Sequence, residues 1–330
     1  MSPERLDQFM ARANAAYYAS RDPFADFTTA PEITQIFGEI LGLWCAVVWQ
    51  AMRRPSPVVL AEAGPGRGTL MADALRAIRS TAADFGNALA VRLIETSPRL
   101  RELQALAVPE ATWQDSLEDM LPGQLLLMAN EFLDALPVRQ FVRRGQIWSE
   151  RYVSGGMLIE RPAKPPQPIL DKAAVLDGPV FEISETAIAF TAGLARHLSR
   201  HGGAALFIDY GPAEPNAGDS LQAIRGKRAA NPFTGPGSAD LTAHVDFPTL
   251  AGTAREAGVA VYGPVPQGIF LTRLGLFQRT DYLTRGQKPA RAMALITAAR
   301  RLVEPDQMGR LFKVMGLCHP GLPMLPGFEE

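Results

Sequence analysis

The sequence predicts a doubly wound α/β fold built on a mostly parallel sheet, and three observations carry that prediction. Residues 58–63 (VVLAEA) form an apolar, β-branched run that leads into three alternating glycines and then a helical pattern with Met71, Ala74, Leu75 and Ile78 on one face. Further strand-like runs at 90–95, 112–116 and 124–129 alternate with helical stretches through short connections. Acidic and amide residues then close these runs: Glu62, Glu95, Asp115, Asn130 and Glu131. Open parallel sheets bind ligands at that end of their strands.

Each element follows in order. Ser2-Pro3-Glu4 predicts a helix start, with Leu6, Phe9, Met10, Ala13 and Tyr17 along one face. An irregular run over 22–32 contains two prolines, and a second helix begins near Pro31 to bury Ile33, Ile36, Phe37, Ile40, Trp44, Val47 and Val48. These pieces make an N-terminal helical segment, 1–56, expected to cover a ligand site. The sheet domain is expected to occupy 57–330, with insertions at about 138–165, 212–240 and 267–305. Ser97-Pro98 starts a helix after the second strand. Residues 138–160 alternate around Gly145 and Gly155-Gly156 and predict a β-hairpin outside the main sheet, followed by a proline-rich surface loop at 163–168. A helix over 183–198 leads to a fifth strand, 205–209. Residues 212–237, with Arg225-Gly226-Lys227-Arg228, predict a mobile loop, and 240–257 a helix. Strands are expected at 259–265 and 310–317, separated by a mostly helical cap over 267–304.

Composition narrows the function classes. The chain has 330 residues and 33 basic against 34 acidic side chains, a net charge of −1, so no global field attracts nucleic acid or an anionic membrane. Cys45 and Cys318 lie far apart and no metal-ligand spacing occurs, which predicts buried thiols in a reducing compartment and no bound metal. The first residues lack an apolar h-region and carry Glu4 and Asp7, and the most apolar window, 40–52, is too short to span a bilayer. A soluble cytoplasmic protein without an integral membrane segment is expected.

The stretch Glu62-Ala63-Gly64-Pro65-Gly66-Arg67-Gly68-Thr69 decides among nucleotide sites. A Walker loop would end in Gly-Lys-Ser/Thr, which is absent. A dinucleotide fingerprint would space its glycines G-x-G-x-x-G, and Glu62 would face a pyrophosphate, so NAD is disfavoured. S-adenosylmethionine carries an ammonium that a strand-end carboxylate can hold, and a carboxylate that loop N–H groups at a helix N-terminus can take. Glu62, Gly64, Pro65, Gly66, Gly68 and Thr69 are therefore the expected cofactor loop, and the string resembles motif I of class I methyltransferases.

Glu95, ending the second strand, is expected on the ribose hydroxyls, Asp115 and Ser116 near the adenine, and Asn130 at the cofactor. Methyl transfer to nitrogen needs a neutral nucleophile, and a guanidinium is neutral in roughly one molecule per million at pH 7. A carboxylate beside it localises the charge on one nitrogen and accepts the departing proton. Glu131 and Asp134, three residues apart, are the candidates to share one guanidinium, with His244 and Asp246 as alternative bases. Thr29 and Glu32 of the irregular run, and Asp209 and Tyr210 closing the fifth strand, are the candidate substrate contacts.

Several runs together resemble the MidA family of methyltransferases: YY…DPF.DFTTAPEITQIFGE, EAGPGRGTLMADALR, IETSPRLRELQ, ANEFLDALPVRQF, FIDYG, DLTAHVDF and MGRLFKVM, extending from Tyr17 to Met315. The resemblance implies a class I, Rossmann-like S-adenosylmethionine fold. For the mitochondrial members it implies complex I assembly through symmetric dimethylation of an arginine on a quinone-site subunit. It assigns Glu62, Gly64, Gly66, Gly68 and Glu95 to the cofactor and Glu131 to the acceptor. Phe24-Ala25-Asp26-Phe27 is contracted relative to the longer DPFG..GDF segment of other members, which bears on the arm that covers substrate. The expected partner is an arginine-bearing protein, with no nucleic acid, and pairing of two copies is left open. Two other readings stand beside this one: a non-catalytic assembly factor that keeps the cofactor pocket, and an NAD-dependent oxidoreductase.

Overall fold

The computed structural model describes residues 2–21, 28–119 and 122–329. The contracted segment Phe24–Phe27 lies outside the described residues. The chain forms two compact units, each assembled from separate stretches: a larger one from 28–131, 192–210 and 254–330, and a smaller one from 1–27, 132–191 and 211–253. The helix at the N-terminus thus groups with the insertions at 138–165 and 212–240, while the second helix and the 267–305 insertion group with the large sheet, so the division between units does not fall at 56/57.

The larger unit holds a seven-stranded sheet. Its strands are β1 (Val58–Ala63), β2 (Leu89–Ile94), β3 (Thr112–Gln114), β4 (Leu125–Asn130), β5 (Gly203–Tyr210), β6 (Ala260–Pro266) and β7 (Phe312–Cys318). Their spatial order is β3-β2-β1-β4-β5-β7-β6. Neighbours from β3 to β5 pair in parallel, while β7 runs antiparallel to both β5 and β6. Chain order reverses between β1 and β4, which makes the carboxyl ends of these two strands the switch point where such sheets bind ligands. β4 is buried at every position, as a central parallel strand covered on both faces must be.

Helix α1 (Ala30–Ile33) and helix α2 (Gln35–Ala51) replace the single helix expected from Pro31. The break is at Thr34, whose extended backbone ends one helix and whose Oγ1 accepts the Ile36 N–H at 3.3 Å to cap the next. Helix α3 (Thr69–Thr81) packs tightly on α2 because Gly38 and Gly42, one turn apart, present no side chain. A Cβ on Gly42 would lie 2.6 Å from the Ala74 carbonyl oxygen. Helix α4 (Pro98–Ala107) begins as expected, with Ser97 Oγ accepting the Leu100 N–H at 3.4 Å and Pro98 in the first turn. Trp44, Phe37, Leu60, Leu126, Leu206 and Val314 lie in one core around the sheet. Cys45 and Cys318 are buried free thiols, and burial pushes Cys45 up to about 12.

In the smaller unit the expected hairpin is part of a five-stranded antiparallel sheet. Arg139–Arg144, Ile147–Ser154 and Met157–Pro162 are joined by Val180–Ile183 and by Glu4–Arg5, which pairs with Tyr152 and Val153. Glu4 and Arg5 therefore belong to a strand, and the first helix runs over Leu6–Ser20. It buries Leu6, Phe9, Met10 and Ala13 against Val138, Val153 and Leu241.

Three further expectations give way here. The 163–168 loop ends in a helix, Gln167–Val175, with Pro168 in its first turn. The stretch read as a mobile loop contains Gln222–Arg225 and Arg228–Ala229, and Gly226 and Lys227 take the positive φ values, 58° and 62°, that a two-residue hairpin turn requires. Asp240–Thr242 is the third strand of that small sheet, and the helix starts only at Phe247, capped by Asp246, whose carboxylate accepts the Thr249 N–H at 3.2 Å.

Candidate functional site

The site of the larger unit is built on the turn after β1. Gly64, Gly66 and Gly68 all adopt left-handed φ, 66°, 55° and 83°, a conformation costing an L-residue about 1–2 kcal/mol each. The Gly64 N–H donates to the Ile94 carbonyl at 3.1 Å, prolonging the β1–β2 ladder, and the Gly68 N–H closes the turn on the Pro65 carbonyl at 2.7 Å. Gly68 then caps α3 and aims that helix's first N–H groups toward the loop.

Glu62 stands at the next-to-last position of β1 and is 3% exposed. Its carboxylate accepts the backbone N–H of Met71 in the first turn of α3, while Oε2 has no hydrogen-bond partner. Burial pushes the carboxyl up to about 8. On β4, Asn130 is 7% exposed and its Oδ1 also lacks a partner. Buried polar oxygens normally find a donor, so two unmatched acceptors on neighbouring strands at the switch point mark a place for a donor-bearing ligand. The ammonium of S-adenosylmethionine is such a donor, and the first N–H groups of α3 are donors for its carboxylate. The residues present fit the cofactor.

Glu95 follows β2 and is half-buried, its carboxyl pushed up by burial against the opposing bonds. Oε1 accepts the Ser97 N–H at 2.7 Å and Oε2 the Gln104 amide at 3.3 Å. Asp115, beyond β3, is exposed and pairs with Arg101 at 2.6 Å. The Ser116 N–H and hydroxyl both donate to Asp119 Oδ2, at 3.1 and 2.9 Å.

Sequence reasoning missed Gln104. Fully buried, it donates to the Gly66 carbonyl at 2.8 Å and to Glu95, and accepts the Trp113 indole N–H at 2.8 Å, tying the glycine turn to the ends of β2 and β3. Gln104 closes the run IETSPRLRELQ three residues before the end of α4, and nothing in that run singles it out except its place on the apolar face of the helix. Arg101 was missed for the same reason; its guanidinium reaches the Glu95 carbonyl at 2.7 Å as well as Asp115.

The residues after β4 meet those of α1. Glu131 holds a left-handed φ of 50°, its N–H donates to the Ile208 carbonyl at 2.9 Å, and its Oε1 accepts the Ala30 N–H at 3.0 Å and the Asn130 amide at 3.1 Å. For a non-glycine residue that backbone costs roughly 1–3 kcal/mol, and such outliers cluster where a side chain must be aimed. Glu32, on α1, accepts the Thr69 hydroxyl at 2.5 Å and lies 3.8 Å from Arg67. Thr29 precedes α1 in extended conformation, its carbonyl accepting the Glu32 N–H at 3.0 Å. One short helix is thereby tied to the start of α3 and to the end of β4. At the end of β5, Asp209 is buried, with Oδ1 accepting the Tyr210 N–H at 2.9 Å, and Tyr210 stacks edge-on against Phe312.

Asp134 and His244 belong to the smaller unit. Asp134 is buried, and its carbonyl accepts the Ala243 N–H at 2.9 Å. His244 is exposed, its backbone N–H donates to Ser220 Oγ at 2.9 Å, and partial desolvation lowers its pKa. Asp246 spends its carboxylate on the helix cap and on Lys172.

A β3-β2-β1-β4-β5-β7-β6 sheet with a glycine turn after β1 and an unmatched buried carboxylate beside it defines an S-adenosylmethionine-dependent methyltransferase. The chain belongs to the MidA-like family: the model for S-adenosyl-L-methionine-dependent methyltransferases of the Methyltransf_28 family matches residues 40–265. A Drosophila melanogaster relative named protein arginine methyltransferase NDUFAF7 homolog, mitochondrial, is 32% identical over 358 residues, covering 97% of this chain and 81% of its own. The Homo sapiens protein arginine methyltransferase NDUFAF7, mitochondrial, is 30% identical over 351 residues, covering 95% and 79%. A solved COG1565-superfamily structure from Burkholderia thailandensis, bound to S-adenosyl-homocysteine, matches with a TM-score of 0.80 and 25% identity, covering 98% of this chain and 90% of that one.

These findings favour S-adenosylmethionine over NAD and an enzyme over a scaffold. They also correct one expectation. The cytoplasmic assignment, drawn from the composition of the first residues, is overturned by relatives that are named mitochondrial. Among the described residues no helix is long and apolar enough to cross a membrane.

Proposed function

We propose that the methyl acceptor is an arginine of a protein substrate and that Glu131 is the carboxylate that receives it. The observation that carries this reading is the left-handed Glu131 at the end of β4, next to the unmatched Asn130 Oδ1. Two relatives named as protein arginine methyltransferases support the acceptor class. The bound cofactor supplies the electrophilic methyl group. Glu62 takes its ammonium, the N–H groups opening α3 take its carboxylate, and Glu95 takes the ribose hydroxyls.

The chain must then orient one guanidinium nitrogen in line with the methyl group, keep its lone pair free, and remove a proton. Glu131 does so by holding the positive charge on the opposite nitrogen and accepting the proton released. Asn130, donating to Glu131 Oε1 at 3.1 Å, fixes the orientation of that carboxylate. By family resemblance the substrate is a quinone-site subunit of respiratory complex I.

Glu131→Gln tests the assignment. The variant should bind S-adenosylhomocysteine like the parent and transfer methyl groups to an arginine peptide about 10²–10⁴-fold more slowly. Transfer at the parental rate would remove Glu131 from the mechanism, and methylated lysine or histidine in the product would remove arginine.

A further inference from the structure

The cap that follows β6 carries a surface the methyltransferase reaction does not use. Helix α5 (Leu276–Thr284) and helix α6 (Pro289–Val303) pack as a hairpin in the larger unit. From Tyr282 to Val303 the sequence holds five basic residues, Arg285, Lys288, Arg291, Arg300 and Arg301, and no acidic one. Set against a chain whose 33 basic and 34 acidic residues nearly cancel, this is a local segregation of charge.

The tip combines that charge with exposed apolar surface. Tyr282 and Met293, one just before the connecting residues and one just after, are each 62% exposed, although large apolar side chains are usually covered. Arg285, Lys288 and Arg291 are exposed between them, and no ion pair joins any of the three to a carboxylate among the described residues. Arg279 pairs with the buried Glu39 at 2.8 Å and its guanidinium lies 5.3 Å from the centre of the Tyr282 ring, which it holds against the hairpin. Ala290 and Ala294 are also exposed.

We propose that the α5–α6 tip is a docking surface for an anionic lipid bilayer, with Arg285, Lys288 and Arg291 among the headgroups and Tyr282 and Met293 in the interfacial layer. Basic side chains beside an aromatic and aliphatic residue on a helical hairpin are the composition of an interfacial anchor, and attraction to anionic lipid supplies about a fivefold gain in affinity per basic residue. A nucleic acid would be met by stacking aromatics along a groove, and here one of the two large apolar residues is a methionine. An acidic protein would compete for the same charge, and its binding is an outcome the test separates.

The full chain is tested by co-sedimentation with vesicles of phosphatidylcholine alone and of phosphatidylcholine mixed with phosphatidylglycerol. Binding should require the mixed vesicles, weaken as salt rises, and fall at least about 100-fold in R285E/K288E/R291E, from roughly fivefold per basic residue. Tyr282→Ser with Met293→Ser should weaken binding while leaving its salt dependence. Both variants should bind S-adenosylhomocysteine like the parent, which certifies their fold. Equal binding to pure phosphatidylcholine, an unchanged triple variant, or tighter binding to polyglutamate or duplex DNA than to mixed vesicles would overturn the proposal. If the triple variant does not fold, the salt series and the Tyr282/Met293 pair decide it in the same terms.

Discussion

Replacing Glu62 by glutamine should make the unliganded protein more stable and its cofactor binding weaker, with both effects growing as pH rises. The carboxyl is buried, lacks a partner on Oε2, and is pushed from its ordinary 4.5 up to about 8. Below pH 4.5 it is protonated in folded and unfolded chains alike, so it has no effect on stability. From there to about pH 8 only the unfolded chain ionises, and folding loses about 1.36 kcal/mol per pH unit, some 5 kcal/mol by the top of the window. Glutamine removes that loss. With the ammonium at Glu62, as proposed, cofactor binding should restore the balance in the parent by pairing with the ionised carboxylate, expelling about one proton near pH 7. Parental affinity should therefore rise up to about tenfold per pH unit between pH 6 and 8 relative to E62Q, and level off above. The assay is calorimetric titration with S-adenosylhomocysteine in buffers of different ionisation heat, with thermal melts of both apo proteins. Identical pH slopes for parent and variant, with no difference in proton release, would refute the placement of the ammonium at Glu62.

Three further outcomes are expected. Glu95→Ala should cost about 1.5–3 kcal/mol of cofactor affinity, the loss of charged hydrogen bonds, measured by the same titration; unchanged affinity would take the ribose away from Glu95. Gln104→Leu removes the buried ties to Gly66, Glu95 and Trp113, and should lower stability by about 1–3 kcal/mol in urea melts, with weaker cofactor binding besides. Gly42→Ala places a Cβ 2.6 Å from the Ala74 carbonyl oxygen and should destabilise by about 1–3 kcal/mol with the variant's cofactor affinity preserved, since no cofactor-loop residue is touched.

The central sheet was legible because its inner strands are buried on both faces. LLLMAN over β4 and VVLAEA over β1 are continuous apolar runs that no exposed element tolerates, and the glycines after β1 punctuate them. The smaller unit was harder to read because its elements are short and decided by tertiary context. Glu4–Arg5 becomes a strand only through pairing with residues about 150 positions away, and the Arg225–Arg228 hairpin turn has no apolar flank long enough to declare its strands. Thr34 shows the same limit within one element, since a cap in the middle of an apolar periodicity is visible only when its extended backbone is seen.

The candidate site divides along a different line. The residues proposed to meet a ligand directly, Glu62, Glu95 and Glu131, stand at or just past strand ends where the pattern advertises them. Residues that act by holding others, Gln104 and Arg101, sit on a helix face with no punctuation, and their role exists only through the Gly66 carbonyl and the Glu95 backbone they reach. Glu131 belongs partly to each group. Its position was visible in the sequence, but its left-handed backbone and its bond to the Ala30 N–H were not, and those two features make its carboxylate also a latch on α1. A glutamine at 131 keeps the amide acceptor that Ala30 needs and loses the charge, whereas alanine loses both. Comparing E131Q with E131A therefore separates proton acceptance from α1 placement: a transfer defect common to both, with protection of the Ala30 amide from hydrogen exchange lost only in E131A, is the outcome that the two roles require.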